Sequence, residues 1–166
     1  MATTYKLISS VTVGSGGAAY MEFTSIPQTY TDLNLVFSGR NTSSGDWFSL
    51  SFNGSSSNFT GRIIFANGAG VYSYTRNADE QGVIPNSSTT ANTFGNGSLY
   101  IPNYTGSSNK SYSIDSITEN NATTAYMTIL AGLWSSSAAI TSIRMTISAN
   151  TFAQYSTAYL YGISNA

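Results

Sequence analysis

Apolar side chains in this chain recur every second residue. Leu33, Leu35 and Phe37 alternate with Asn34, Val36 and Ser38. Phe48, Leu50 and Phe52 alternate with Ser49, Ser51 and Asn53, Tyr112 and Ile114 with Ser111, Ser113 and Asp115, and Ile143, Met145 and Ile147 with Arg144, Thr146 and Ser148. Successive side chains of a strand point to opposite faces. Each run therefore dictates a strand with one apolar face on a core and one polar face toward solvent or a polar partner. Leu33, Leu35, Phe37, Phe48, Leu50, Phe52, Ile114, Met145 and Ile147 are the expected inward set.

Turn-forming clusters separate the runs at 14–17, 41–45, 53–57, 67–70, 86–90, 106–109 and 135–137. Asn-Gly pairs at 53–54, 67–68 and 96–97 fit tight turns that need positive φ. Strands are predicted over about 5–12, 18–24, 31–40, 47–53, 59–66, 71–76, 94–101, 110–118, 124–134, 140–148 and 156–163. Short strands at such regular spacing define an all-β chain, an antiparallel β-sandwich of jelly-roll type. Residues 122–134 could be drawn as a helix, but Thr123, Thr124, Thr128 and Ile129 are β-branched, which favours a strand. A short helical turn fits 135–139. The stretch 76–92 is the longest without alternation and reads as a loop of the functional or mobile kind. With 166 residues and neither internal repeat nor linker, residues 1–166 are expected to form a single domain.

Chemistry is restricted by what is missing. There is no cysteine and no histidine. Disulfides, thiolate chemistry and Ser-His or Cys-His catalysis are thereby excluded. A Ser-Lys dyad would require a buried Lys6 or Lys110, and Lys110, in Ser107-Ser108-Asn109-Lys110, reads as solvated. Glu22, Asp46, Asp79, Glu80, Asp115 and Glu119 show no spacing that pairs them for glycoside hydrolysis. Asp79-Glu80 beside Asn77 is the one acidic cluster, and it reads as a solvated loop rather than a calcium site. No catalytic, metal-binding or cofactor-binding residue is expected, and the chain does not read as an enzyme.

Charged residues make up 8% of the chain, against about 25% in an ordinary soluble domain. The net charge of −1 provides no basic field for nucleic acid. No apolar run approaches the roughly 20 residues of a membrane-spanning helix, and the start at Met1 lacks a signal-peptide pattern. Synthesis in a cytoplasm is expected, without membrane insertion. The eight Asn-x-Ser/Thr sequons, at Asn41, Asn53, Asn58, Asn86, Asn96, Asn103, Asn109 and Asn121, are then a matter of composition, and glycosylation is not expected. Twelve tyrosines stand among 22 aromatic residues. Tyr72 and Tyr74 share one strand face, as do Tyr159 and Tyr161. Exposed rings amid Asn and Ser suit a sugar-binding face or a protein contact surface. Trp47 and Trp134 read as core or interface.

Several segments together resemble small virion proteins of tailed bacteriophages, especially marine and cyanobacterial ones. They are Leu7-Ile8-Ser9-Ser10-Val11-Thr12-Val13-Gly14-Ser15-Gly16-Gly17-Ala18-Ala19, Phe23-Thr24-Ser25-Ile26-Pro27-Gln28-Thr29-Tyr30-Thr31-Asp32-Leu33, Phe52-Asn53-Gly54 with Ser57-Asn58-Phe59, Ile101-Pro102-Asn103-Tyr104 and Leu160-Tyr161-Gly162-Ile163. The resemblance implies a jelly roll on the virus particle. A short chain with its own Met1 fits a separate capsid decoration subunit, a homotrimer that cements the major capsid protein. The alternative it implies is a tail-fibre or receptor-binding protein that recognises a host surface glycan. Candidate contact residues are Thr3, Thr4, Tyr5 and Lys6 in the segment 2–6, and Arg76, Asp79 and Glu80 in the stretch 76–92.

Overall fold

A computed structural model describes residues 4–119, 125–147 and 150–164. Thr3, the Asn121 sequon and Ser148 lie outside the described residues. The chain forms two antiparallel sheets. The larger contains β1 (Tyr5–Thr12), β3 (Asp32–Gly39), β5 (Phe59–Ala66), β6 (Val71–Arg76), β8 (Gly95–Ile101), β9 (Lys110–Ile117), β10 (Met127–Trp134) and β12 (Thr157–Ile163). Its strand order is β1-β12-β3-β8-β9-β10-β5-β6. The smaller contains β2 (Tyr20–Phe23), β4 (Trp47–Phe52), β7 (Gly82–Val83) and β11 (Ile143–Ile147), in the order β2-β11-β4-β7. The chain crosses repeatedly between the two, so every strand of the small sheet is flanked in sequence by strands of the large one.

The period-two pattern sets which faces meet. All nine residues expected inward are buried. From the large sheet, Leu33, Leu35, Phe37, Leu99, Ile114, Leu130 and Ile63 face Phe48, Leu50, Phe52, Ile143 and Met145 from the small one. Aromatic rings lock the sheets together: Phe37 meets Phe48 edge-on at 5.2 Å, and Phe52 meets Tyr112 at 5.7 Å and Trp134 at 5.6 Å. Trp134 is therefore core.

Turn chemistry holds at two of the three Asn-Gly pairs. Asn53 and Gly54 both take positive φ (53° and 74°), as a two-residue hairpin turn of primed type requires. Asn67 Oδ1 accepts the amides of Ala69 and Gly70 in the β5–β6 hairpin, both at 3.1 Å. Asn96-Gly97 is not a turn. It lies within β8, where a Cβ on Gly97 would run into the Phe37 ring and the Asp115 carbonyl. That glycine makes room for a core ring. Residues 135–139 are irregular chain rather than a helical turn. Asn53 anchors the far end of that segment, donating to the Ala139 carbonyl at 2.8 Å and accepting the Thr141 amide at 2.8 Å.

The stretch 76–92 departs most from expectation. Ala78, Gln81, Val83, Ile84 and Asn86 are buried. The Leu50 and Gln81 amides bond across to the Ala78 and Phe48 carbonyls at 3.0 and 2.9 Å, making this stretch the closing edge of the small sheet. The rest is stapled by Arg40, whose guanidinium donates to the Thr89, Thr90 and Thr93 carbonyls at 3.1, 2.9 and 3.0 Å. Beneath β7, buried Ser116 accepts the Val83 amide at 2.8 Å and shares a hydrogen bond with Thr128 at 2.7 Å. The Tyr112 hydroxyl donates to Gln81 Oε1 at 2.7 Å. β7 thus sits down on the large sheet through a satisfied polar network, as burial demands.

Lys110 corrects the expectation of a solvated side chain. It is 1% exposed, closed over by its own loop, and its ammonium donates to the Gly106 and Ser108 carbonyls at 2.6 and 2.5 Å. Desolvation lowers its pKa. The lysine is a loop staple at the head of β9.

Two predictions concern this architecture. A Cβ on Gly82 would lie 2.6 Å from the Phe48 ring and 2.8 Å from Ser116 Oγ. Gly82→Ala should destabilise the fold by about 1–3 kcal/mol, lowering Tm by about 2–4 °C per kcal/mol. Gly16→Ala, with no atom within 4 Å of the new carbon, should leave the melting curve unchanged. Burial also raises the Tyr112 pKa far above the ordinary phenol value of 10.0. An acid raised on folding contributes stability that is full below the unfolded value and lost as pH climbs toward the folded one. The Tyr112 contribution should therefore fall by up to about 1.4 kcal/mol between urea titrations at about pH 11 and pH 12, and Tyr112→Phe should remove that share of the slope.

Candidate functional site

Two surfaces on opposite sides of the sandwich depart from the polar exterior that the alternation implied. On the outer face of the large sheet, cross-strand register places Ile117 beside Met127, and Ile129 beside Ile64. The row through Met127 continues over Ala66 to Val71. Ile64, Val71, Met127 and Ile129 are 54%, 73%, 52% and 56% exposed. Together with Ile117 they make an unbroken apolar strip over β9, β10, β5 and β6. Asp115, hydrogen-bonded to Ser98, divides it from a second outward group, Val36 and Tyr159. Exposed isoleucines scattered singly would mean nothing, but a contiguous strip marks a contact surface.

On the other side, β5 and β6 extend past β7 at the edge of the small sheet. Tyr72 and Tyr74 pair with Phe65 and Ile63, so their rings lie on the core side of the large sheet, yet both remain about two-fifths exposed. They stack on each other with a 16° interplanar angle. Next along β6, the Arg76 guanidinium lies between Tyr74 (4.7 Å) and Trp47 (5.3 Å) and pairs with Glu80 at 3.2 Å. Trp47 rests on Phe65, half-buried at this edge. From Trp47 a groove runs over the outer face of β4. Its first part, about 150 Å³, is lined by Trp47, Ser49, Asp79 and Glu80. Its second, about 360 Å³, shares Ser49 and Asp79 and continues to Ser51, Thr146 and Arg144. At that end the Arg144 guanidinium lies 4.2 Å over the Tyr20 ring and binds Glu22 through two nitrogens, at 3.0 and 3.1 Å. The Ser49 hydroxyl donates to Asp79 at 3.2 Å, and the Asp79 amide donates to Asn77 Oδ1 at 3.0 Å, which fixes the carboxylate over the groove.

The residues singled out in sequence do not converge. Thr4, Tyr5 and Lys6 are exposed at the start of β1, where the Thr4 carbonyl accepts the Ser164 amide at 3.0 Å and the Tyr5 hydroxyl accepts from Asn34 at 3.0 Å. Arg76, Asp79 and Glu80 belong to the opposite edge, seven strand spacings away, roughly 30 Å. They do meet one another, around Trp47. The outer strip was missed, though the runs Ile63-Ile64-Phe65 and Ile129-Leu130 carry its signal: adjacent apolar residues in a strand make both faces apolar. Among the described residues no group of His, Cys, Asp and Glu has metal-binding geometry, and no helix is long and apolar enough to cross a membrane.

Comparison with known proteins finds no matching family model, no similar curated protein and no matching solved structure.

Arg76 organises this edge. Arg76→Ala should lower stability by about 1–2 kcal/mol in a urea titration and expose Trp47, read as a red shift in fluorescence. Glu80→Ala, at a half-exposed partner, should lower stability by less than about 1 kcal/mol.

Proposed function

We propose that the chain is a jelly-roll-type, non-enzymatic structural subunit of a bacteriophage virion, and that it works as a capsid decoration protein. In this reading it self-associates, as a trimer, and binds the major capsid protein through contact area rather than through a single reactive site. The apolar strip of Ile64, Val71, Ile117, Met127 and Ile129 carries the proposal. A face held in place by cross-strand pairing loses little conformational entropy on docking, and its aliphatic side chains bury apolar area at about 25 cal/mol per Å². The sparse charge has the same consequence, since few ions need desolvating when this face is covered. The passage of the chain back and forth between two antiparallel sheets supports the jelly-roll assignment. The virion location rests on the sequence resemblance.

A tail-fibre or host-binding role for the same subunit is the second reading, favoured by the aromatic edge around Trp47. Ile64→Glu combined with Ile129→Lys should leave the fold intact and Tm within a few degrees, because both side chains are about half exposed and the new charges face each other as an opposite pair. The same pair should abolish self-association in sedimentation velocity and incorporation into particles. Immunolabelling of intact particles should cover the head. A double variant that assembles like the unmodified protein would overturn the docking face, and label confined to the tail would overturn the capsid role.

A further inference from the structure

We propose that the cavity where β3 leaves the large sheet is a binding site for a monocarboxylate carried on an aromatic or apolar group. The inference is independent of the assembly role, since none of its residues belongs to the outer strip.

β12, β3 and β8 are neighbours in the large sheet, and antiparallel pairing brings the end of β3 to the same rim as the starts of the other two. Register sets Ser38 against Thr157 and Gly39 against Gly95, so Arg40 emerges between the chain entering β8 and the chain entering β12. Its backbone is tied to the second of these. The Arg40 carbonyl accepts the Ala153 amide at 2.8 Å, and the Arg40 amide donates to Ser156 Oγ at 3.2 Å. The cavity at this rim, about 410 Å³, is lined by Arg40, Asn92, Phe94, Ala153, Gln154 and Tyr155.

The guanidinium is only partly used. Nη1 donates to the Thr90 and Thr93 carbonyls. Thr89 takes one bond from each terminal nitrogen, through its hydroxyl at 3.2 Å and its carbonyl at 3.1 Å, and so caps the end of the group. The side formed by Nε and the remaining hydrogen of Nη2 has no acceptor among the described residues, and solvent reaches Nε. Nor does Arg40 make an ion pair among them, unlike Arg76 and Arg144. Burial lowers its pKa, an effect that an adjoining anion would oppose. Two parallel N–H donors on a cavity-lining residue match a carboxylate bidentately. Arg40 is the one charged residue of the lining, so a monoanion neutralises it and a dianion would leave a charge unmatched. Phe94 and Tyr155 supply ring surface for an apolar body, and Asn92 and Gln154 bring further amide donors.

Tyr155 adds an independent observation. Its backbone lies in the left-handed region, at φ 72°, and its ring is 69% exposed. A bulky residue is disfavoured in that region, and an exposed ring returns no core packing in exchange. The Tyr155 amide donates to the Val13 carbonyl at 2.9 Å, which holds the strained residue at the rim of the cavity. Strain without a packing return marks a position kept for contact with something else.

Two-dimensional NMR titration tests the site. Phenylacetate is the probe, with phenylacetamide as its uncharged counterpart and N-acetylphenylalanine as a mimic of a chain terminus. Saturable shifts at the Arg40, Phe94 and Tyr155 amides are expected, with Kd on the order of 1 mM for phenylacetate and at least about tenfold weaker binding of the amide. Tyr155→Gly should weaken phenylacetate about threefold to tenfold without lowering Tm, since glycine takes positive φ freely. A ring with a purely structural role would lower Tm on removal. Tighter binding of N-acetylphenylalanine than of phenylacetate would assign the carboxylate to a chain end, and the reverse to a free acid. The Ile64→Glu, Ile129→Lys protein should bind phenylacetate unchanged, which separates failure here from failure of the docking face. No saturation by either acid, equal binding of phenylacetamide, shifts confined to another part of the molecule, or unchanged affinity in Tyr155→Gly would overturn the proposal.

Discussion

An eight-stranded sheet packed on a four-stranded one leaves part of the wider sheet without a covering layer, and the molecule's most distinctive features arise from that mismatch. The core forms where the two overlap, around Phe37, Phe48, Phe52 and Ile114. Beyond β7 the large sheet continues for two strands with its core-side residues still aromatic. Those residues must be satisfied otherwise, and the chain does so with Trp47 lying on Phe65 and Arg76 lying between two rings. A guanidinium suits this position because it stacks flat on an aromatic face while keeping its edge for Glu80. The same overhang therefore accounts for the ordered rings at this edge.

The closing of the small sheet depends on small residues and on paired polar ones. β7 is only Gly82–Val83, yet it brings Gln81 over Tyr112 and sets Gly82 against Phe48. A larger side chain at 82 would lift the strand, and an unpaired Ser116 or Gln81 would make its burial costly. Close approach at this edge therefore rests on a missing side chain and a full set of hydrogen bonds, more than on apolar area.

The strands were legible because alternation is a local signal. β1, β5 and β6 lie where the spacing put them, and the inward set of nine is buried without exception. β7 was not legible because two residues carry no period, and because its burial comes from partners far along the chain. Lys110 misled for a related reason. Its polar neighbours mark a loop, but whether a loop folds back over a lysine depends on carbonyls whose direction only the tertiary structure fixes. Asn96-Gly97 shows the converse: a pair with turn chemistry was placed in a strand because Phe37 needed the space. Of the candidate site, Tyr72 and Tyr74 on one face could be read directly, and so could the acidic pair. Their meeting with Trp47 could not, since it joins β4 to β6 across the edge of a sheet.

The outer strip and the groove lie on opposite faces, and that placement limits how they can act together. A subunit that covers Ile64 and Ile129 against a neighbour turns the outer face of β4, with Ser49 and Asp79, away from the contact. Burying one face does not occlude the other. The two faces are independent because the strip is carried by β5, β6, β9 and β10 of the large sheet and the groove by β4 and β11 of the small one, with the core between them.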